Sequence, residues 1–268
     1  MKRNGFTLTE MLVAILSVGL MMFVLMPALR GARASALRIA CRTNLIGIGR
    51  AMAAYADDNE GSFPVAGPPG TMWTTRGYIT KWAMGGPEFK TGATISSSFY
   101  LLILHGGVMP KQFVCPGDDG VEIFDLSKIN PRMRPESLYD AFDFGDWRTP
   151  FRPGDCVSYS YHMPYYADDR GEPGFPINGR SRPESPVCAD RNPYLDRNAD
   201  YGNLNSAAHR EKGQNVLYKD GHVRFERDHN VGLGGDNIWT YGDTEPVDVG
   251  EGVPVDERDA YLVNEVQS

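Results

Sequence analysis

Asp190, His209, Asp220 and His222 of this 268-residue chain could converge on a metal ion, because carboxylates and imidazoles supply the oxygen and nitrogen ligands such an ion takes. Each also has a plainer reading: Asp220 in a turn, His222 on a solvated hairpin face, His209 as a loop cap. A second set lies in "DRNADYGN", where Asp196, Asn198 and Asp200 alternate as the ligands of a calcium loop do. There the glycine comes one position late for an EF-hand and no glutamate occupies the twelfth position, so a turn bonded to its own backbone accounts for the stretch without an ion. Ca2+ is the cofactor these residues suggest, and none is required. The five histidines, His105, His162, His209, His222 and His229, enter no G-x-S-x-G elbow, no H-E-x-x-H helix and no phosphate-cradling glycine loop. The expectation is a protein that is not an enzyme.

Cysteine chemistry is equally spare. Cys41, Cys115, Cys156 and Cys188 form no C-x-x-C pair, which argues against a zinc knuckle or a redox dithiol. In an exported protein they allow two disulfides in any of three connectivities. Cys41 also reads as a small buried hydrophobe. The formal charge of -7, and an acidic stretch from Asp228 to Ser268 with Arg258 as its single Lys or Arg, argue against binding to nucleic acid through phosphate neutralisation.

The elements that must carry these residues begin with a rod. From Met11 to Leu29 no side chain is charged, and about 20 apolar residues cross the hydrocarbon core as a helix. A signal peptide competes, since Lys2 and Arg3 precede the run and Ala32-Arg33-Ala34 offers a small-x-small site. Against it stand Glu10 at the start of the apolar run, Arg30 and Arg33 beside the supposed cut, and a helical pattern that continues past it. Arg30, Arg33, Arg38 and Arg42 outnumber Lys2 and Arg3, so charge counting alone favours the orientation opposite to an exported head.

"KRNGFTLTE" resembles the prepilin leader of type IV pilins and type II secretion pseudopilins: a short basic leader ending in Gly, then Phe, then Glu four residues on, then a long apolar helix. The resemblance implies that a prepilin peptidase cuts between Gly5 and Phe6 and methylates Phe6, that Glu10 is the assembly glutamate, and that Pro27 is the helix-breaking proline of the first span. It also implies a homopolymer built with an inner-membrane assembly platform and ATPase, with minor pilins as further partners. The subunit would lie in the inner membrane and then in a cell-surface filament or periplasmic pseudopilus. A carboxylate near the bilayer interior costs up to about 3 kcal/mol, so Glu10 needs a partner. The freed Phe6 amine of a neighbouring subunit would supply it.

Past the apolar run, Leu37, Cys41, Leu45, Ile48, Met52 and Tyr55 recur at spacings of four and three, one stripe of an amphipathic helix made to bury against a head. Asp57, Asp58, Asn59 and Gly61 supply stop chemistry, so the rod should run from Phe6 to near Asn59, roughly 80 Å. Pro27, with Gly19 and Gly31 nearby, marks where it bends or melts, although an unbroken helix remains open for a single chain.

Beyond residue 60 turn residues punctuate short apolar runs. "SSSFYLLILHGGVMP" reads as a helix or strand, "CVSYSYHMPYY" as a half-buried strand, and "SPVCADR" as another strand. In "GQNVLYKDGHVRFER", Asp220-Gly221 predicts a two-residue hairpin turn with both residues at positive φ, which puts Val216, Tyr218, Val223 and Phe225 on one apolar face. The segment from Asp228 onward reads as extended surface chain anchored by Trp239 and Tyr241 and able to reach a neighbouring subunit. "NLIGIGRAMAAYADDNEGSFP", "FVCPGDD" and "NSAAHREKGQNVLYKDGHVRF" are similar to the large pseudopilin-like proteins with a carboxy-terminal His-x-Asp-Gly signature, although ten residues separate His209 from Asp220, one more than is usual there.

The expected architecture is therefore α+β and pilin-like: a leader over 1–5, a long helix over 6–60, a head over 61–227 with a small antiparallel sheet on the helix, and an acidic tail over 228–268. The expected function is that of a filament subunit. The alternative is a membrane-anchored, metal-dependent binding protein or enzyme with an exported head.

Overall fold

A computed structural model describes residues 7–68, 71, 93–132, 134–145, 149–165, 175–195, 205–242 and 252–265. Gly5, Phe6, Asp196, Asn198 and Asp200 lie outside the described residues, so the expected processing site and calcium loop receive no structural account.

Helix α1 spans Leu8–Asp58 as one unbroken element, about 76 Å long at 1.5 Å per residue. Thr7 caps it in extended conformation. At the other end Gly61, at φ +82°, donates its N–H to Ala56 O at 2.8 Å, and Asn59 Nδ2 donates to Tyr55 O at 2.7 Å, which satisfies carbonyls the last turn leaves open. The stop chemistry of the sequence is thus realised. Pro27 withholds its own N–H yet does not interrupt the helix, so of the two possibilities the single chain adopts the unbroken one.

The carboxy-terminal half of α1 buries Cys41, Leu45, Ile48, Ala51, Met52 and Ala56, most of the expected stripe, with Leu37 and Tyr55 half-buried at its ends. Helix α2, Ile95–Gly106, packs against it. Thr94 accepts from Ser97 N–H at 3.0 Å to start α2, and Gly107 at φ +66° ends it, so the ambiguous serine-rich run is a helix. Its serines tolerate burial because each finds a partner close by: Ser97 Oγ donates to Thr94 O at 2.6 Å, and Ser98 Oγ bonds Tyr165 Oη at 2.7 Å.

Five antiparallel strands form one sheet in the order β4-β3-β2-β1-β5, with β1 Tyr159–His162, β2 Pro186–Asp190, β3 Gln214–Tyr218, β4 Val223–Glu226 and β5 Leu262–Val263. One face packs on the helices through Tyr159, Tyr161, Cys188, Leu217 and Val223. The other face is also buried. Ala189, Val216, Tyr218 and Leu262 lie there under Tyr194, Ile238, Trp239 and Ala260.

Two expectations are corrected here. The two-residue turn would set Tyr218 opposite Val223 and Val216 opposite Phe225, and the observed register is one residue off: Leu217 faces Val223, Val216 faces Arg224 and Asn215 faces Phe225. Gly221 alone takes positive φ, at +88°, and donates to Tyr218 O, so Lys219, Asp220 and Gly221 form a three-residue loop, a type I turn closed by a left-handed glycine. A one-residue slip exchanges the faces, and Val216 and Tyr218 therefore point away from Leu217 and Val223. The segment after Asp228, in turn, is not a surface appendage: Ile238, Trp239, Tyr261, Leu262 and Val263 are fully buried, and β5 forms an edge of the sheet.

Candidate functional site

The two halves of α1 meet different surroundings. Leu12, Ile15, Leu16, Met22, Phe23, Met26 and their neighbours up to Leu29 are all exposed, on every side of the helix, whereas from Cys41 onward one stripe is covered by the head. The first half is long and apolar enough to cross a membrane. At its start Glu10 completes a capping box. Its carboxylate accepts from Thr7 N–H at 2.9 Å and from the Thr7 hydroxyl at 2.7 Å, and its own N–H donates to Thr7 Oγ1 at 3.3 Å. In the single chain the acid is therefore partnered by its own helix start, at the positive end of the helix dipole.

The head holds a second concentration of chemistry. Register places Tyr159 of β1 opposite Asp190 of β2, and Asn215 of β3 opposite Phe225 of β4. Asn215 N–H donates to Asp190 Oδ2 at 2.6 Å, closing a single rung across four strands on the face that meets α1. A bulge between Pro186 and Cys188 sets that phase, putting both Val187 and Cys188 on the helix side so that Asp190 returns to it two residues later. Above the rung α1 presents Arg38, Cys41 and Asn44, one helical turn apart: the Arg38 guanidinium lies 4.5 Å over the Phe225 ring, and Asn44 Nδ2 donates to Tyr159 Oη at 3.2 Å.

Cys41 is bonded to Cys115. Cys115 opens the turn "CPGD", in which Gly117 N–H donates to Cys115 Sγ at 3.4 Å; a side chain at 117 would collide with Ala208 O at 2.4 Å, so glycine permits the approach. The short turn Ala207–His209 then brings His209 Nε2 within 3.1 Å of Asp190 Oδ2, 3.1 Å of Asn215 Nδ2 and 3.9 Å of Cys115 Sγ. The ligand atoms of Cys41, Cys115, Asp190 and His209 all lie within 4.8 Å of one another, and all four residues are buried.

The structure divides the expected cation quartet into two pairs. Asp190 and His209 meet in the buried cluster, whereas Asp220 and His222 pair with each other at 2.5 Å on the exposed hairpin loop. Hydrogen bonds from the His222 backbone and ring hold the Asp220 carboxyl below its usual range, against the opposing effect of burial. That is a turn stabilising itself. Of the four cysteines, Cys41 and Cys115 are joined while Cys156 and Cys188 are free and buried, so the second possible disulfide does not form. Burial pushes both free thiols up, well above the ordinary range for Cys188 and strongly for Cys156, where Asp155 and Asp143 add to it.

Sequence reading missed Asn215, Arg191 and Asn192. Arg191 Nη2 donates to Gly154 O and Val157 O, at 2.9 and 2.5 Å, with Asp118 beside it. Asn192 Nδ2 donates to Trp239 O and Leu262 O, at 3.0 and 2.9 Å. The available signal was three polar residues, Asp190-Arg191-Asn192, directly after an apolar strand. Each fastens a different layer to the end of β2.

His209 presents one nitrogen, Nε2, to the carboxylate, the amide and the sulfur alike, whereas a relay needs its two nitrogens on opposite partners. Among the described residues, one cleft of about 680 Å³ runs between Tyr55, Phe63, Pro164, Tyr165 and Asn178, and another of about 420 Å³ is lined by His162, Arg180, Arg258 and Asp259. Compared with known proteins, the chain matches no family model, no curated protein and no solved structure.

Proposed function

We propose that this chain is the structural subunit of a helical filament of the type IV pilus or secretion pseudopilus kind, cut between Gly5 and Phe6, held in the inner membrane by the first half of α1, and polymerised through it. The observation that supports this reading is the division of α1. One continuous helix carries a one-sided apolar stripe where its own head covers it, and an all-round apolar surface that none of the described residues covers. An all-round apolar rod needs lipid or other rods. Exchange of the first for the second needs no refolding of the head.

Glu10 then sets the stagger. Its carboxylate sits in a local capping box, and a neighbour's Phe6 ammonium, a full charge in a poorly solvated setting, is a stronger partner than a hydroxyl and an amide. Assembly platform, ATPase and minor pilins follow as partners of such a subunit, and the reading requires no cofactor.

The test is mass spectrometry of the native amino terminus together with electron microscopy of material sheared from cells. A mature chain beginning with methylated Phe6, found in filaments, is the expected result. Glu10→Val should insert in the membrane normally and yield no filaments. Retention of residues 1–5 in the mature protein, or filaments of normal abundance from the variant, would sink the reading.

A further inference from the structure

We propose that reduction of the Cys41–Cys115 disulfide converts the buried cluster into a tetrahedral site for Zn2+, with the two thiolates, His209 Nε2 and an Asp190 carboxylate oxygen as ligands. The disulfide and the metal would be alternative clips holding α1 to the head. Bond lengths of about 2.0 to 2.3 Å place the ligand atoms of a zinc site roughly 3.3 to 3.8 Å apart. Here the four ligand atoms already lie within 4.8 Å of one another, on residues whose exposure is 0, 0, 0 and 6%. The mixture of soft sulfur, imidazole and carboxylate is one that zinc accepts.

Three further observations point to a cation there. Asp190 Oδ1 is buried and takes no hydrogen bond. Asp190 Oδ2, His209 Nε2 and Asn215 Nδ2 are mutually within 3.1 Å, and with Asp190 ionised and the amide nitrogen in this position no placement of the Nε2 proton satisfies all three contacts. If Nε2 carries the proton it serves the carboxylate and faces an amide that also donates; if it does not, it faces the carboxylate with a lone pair. A cation bound to Nε2 and the carboxylate removes the conflict. Finally, the N–H of Gly117 is already given to Cys115 Sγ, an outer-shell bond of the kind that favours a thiolate.

The chemistry balances with a dithiol reductant. The reductant delivers two electrons and two protons to the disulfide and becomes a disulfide itself; Zn2+ then displaces the two thiol protons to water. Two thiolates and one carboxylate carry three negative charges, which the dication reduces to one. A disulfide oxidant reverses both steps: it takes up two electrons and two protons to become a dithiol, the Cys41–Cys115 bond re-forms, and Zn2+ is released.

The experiment uses the full chain, unassembled in detergent micelles under anaerobic conditions, so its outcome is independent of polymerisation. Zn2+ content is measured after desalting, and Co2+ is used as a spectroscopic probe. The expected result is one metal per chain after dithiol reduction, with a sulfur-to-cobalt charge-transfer band, and none in the oxidised chain. Cys41→Ser and Cys115→Ser should lose the band, Asp190→Asn and His209→Gln should weaken binding, and Cys156→Ser should bind as the parent does. Because these variants alter buried residues, the unfolding midpoint of the reduced parent chain is also followed and should rise with added Zn2+. A reduced chain that retains no metal and gains no stability overturns the proposal, as does equal binding by the oxidised chain or by the Cys41 and Cys115 variants.

Discussion

Gly49 of α1 lies so close to Leu217 of β3 that a β-carbon at position 49 would stand 2.8 Å from Leu217 Cδ1. Glycine is here a spacing device between helix and sheet. Alanine in a helix is ordinarily about 1 kcal/mol better than glycine, and an extra methyl in a full core costs about 1 to 3 kcal/mol. Gly49→Ala should therefore be neutral to destabilising, by up to about 2 kcal/mol, while Gly31→Ala, with nothing within 4 Å, should gain helix stability. Denaturant unfolding of the two variants side by side checks the contrast, and stabilisation by Gly49→Ala would show that the helix stands further from the sheet.

The Cys41–Cys115 bond spans a sequence separation of 74 and ties the rod to the head. The entropic account of a restricted unfolded chain gives about 4 kcal/mol for a loop of that length, within the range of roughly 2 to 5 kcal/mol that native disulfides supply. Reduction without added metal should lower stability by that amount. Alkylation of the denatured, unreduced chain should mark Cys156 and Cys188 alone, and the native chain should resist alkylation at both, since each is buried with its thiol pKa raised. Mass mapping of the alkylated peptides decides it.

The rod, its stop and its buried stripe were legible because one period governs them. Cys41, Leu45, Ile48 and Met52 repeat at helical spacing whatever they touch. The strands at Tyr159 and Pro186 were legible for the same local reason. Three things were not. The faces of the hairpin depended on whether its loop holds two or three residues, and Asp-Gly is compatible with both. The burial of Ile238, Trp239 and Leu262 depended on a second apolar sheet face that alternation could not reveal, since both faces of β1 and β3 are covered. The meeting of Cys41, Cys115, Asp190 and His209 joins four separate segments, and no local pattern encodes it.

Trp239 is fully buried over the outer sheet face, and its carbonyl accepts from Asn192 Nδ2. Trp239→Ala should cost about 3 to 5 kcal/mol. Truncation after Asp236 goes further, because it also removes β5 and Glu265, whose carboxylate accepts from Ile95 N–H at the start of α2. The truncated head should lose its near-ultraviolet circular dichroism and its cooperative unfolding. A truncated protein that melts like the parent would show that the carboxy-terminal layer is dispensable.

His162 and Asp259 push the pH dependence in opposite directions. Burial drives the His162 imidazole down to about 4 although its Nε2–H is bonded to Phe175 O, so the unfolded chain, with an ordinary value of about 6.5, binds the proton first. Its contribution is present above pH 6.5 and lost as pH falls toward 4, on the order of 3 kcal/mol in full. Asp259 is raised to about 6 by burial, against hydrogen bonds from Val255 and Gly242, and with Asp236 and Asp256 adding repulsion. Here the folded state binds the proton first, so acid stabilises between about pH 6 and 4. The parent should change little across this window, His162→Gln should become more stable on acidification, and Asp259→Asn less. Urea midpoints at pH 7 and 4.5 measure all three, and parallel slopes for the two variants would refute the assignment.

The hairpin loop separates two turn geometries that the sequence leaves open. In a two-residue turn Asp220 and Gly221 would both need positive φ; in the three-residue loop Gly221 alone does, at +88°. Asp220 instead accepts from His222 N–H at 3.1 Å and pairs with its ring, and Tyr218 stacks on His222 at 4.5 Å. Gly221→Ala has open space around its β-carbon, so its cost of roughly 1 kcal/mol is backbone strain alone. Asp220→Gly should bring no relief of strain and should destabilise, through lost hydrogen bonds and added chain entropy, by about 1 kcal/mol. If Asp220→Gly instead stabilises the hairpin in thermal unfolding, residue 220 is the strained one and the two-residue turn is the true geometry.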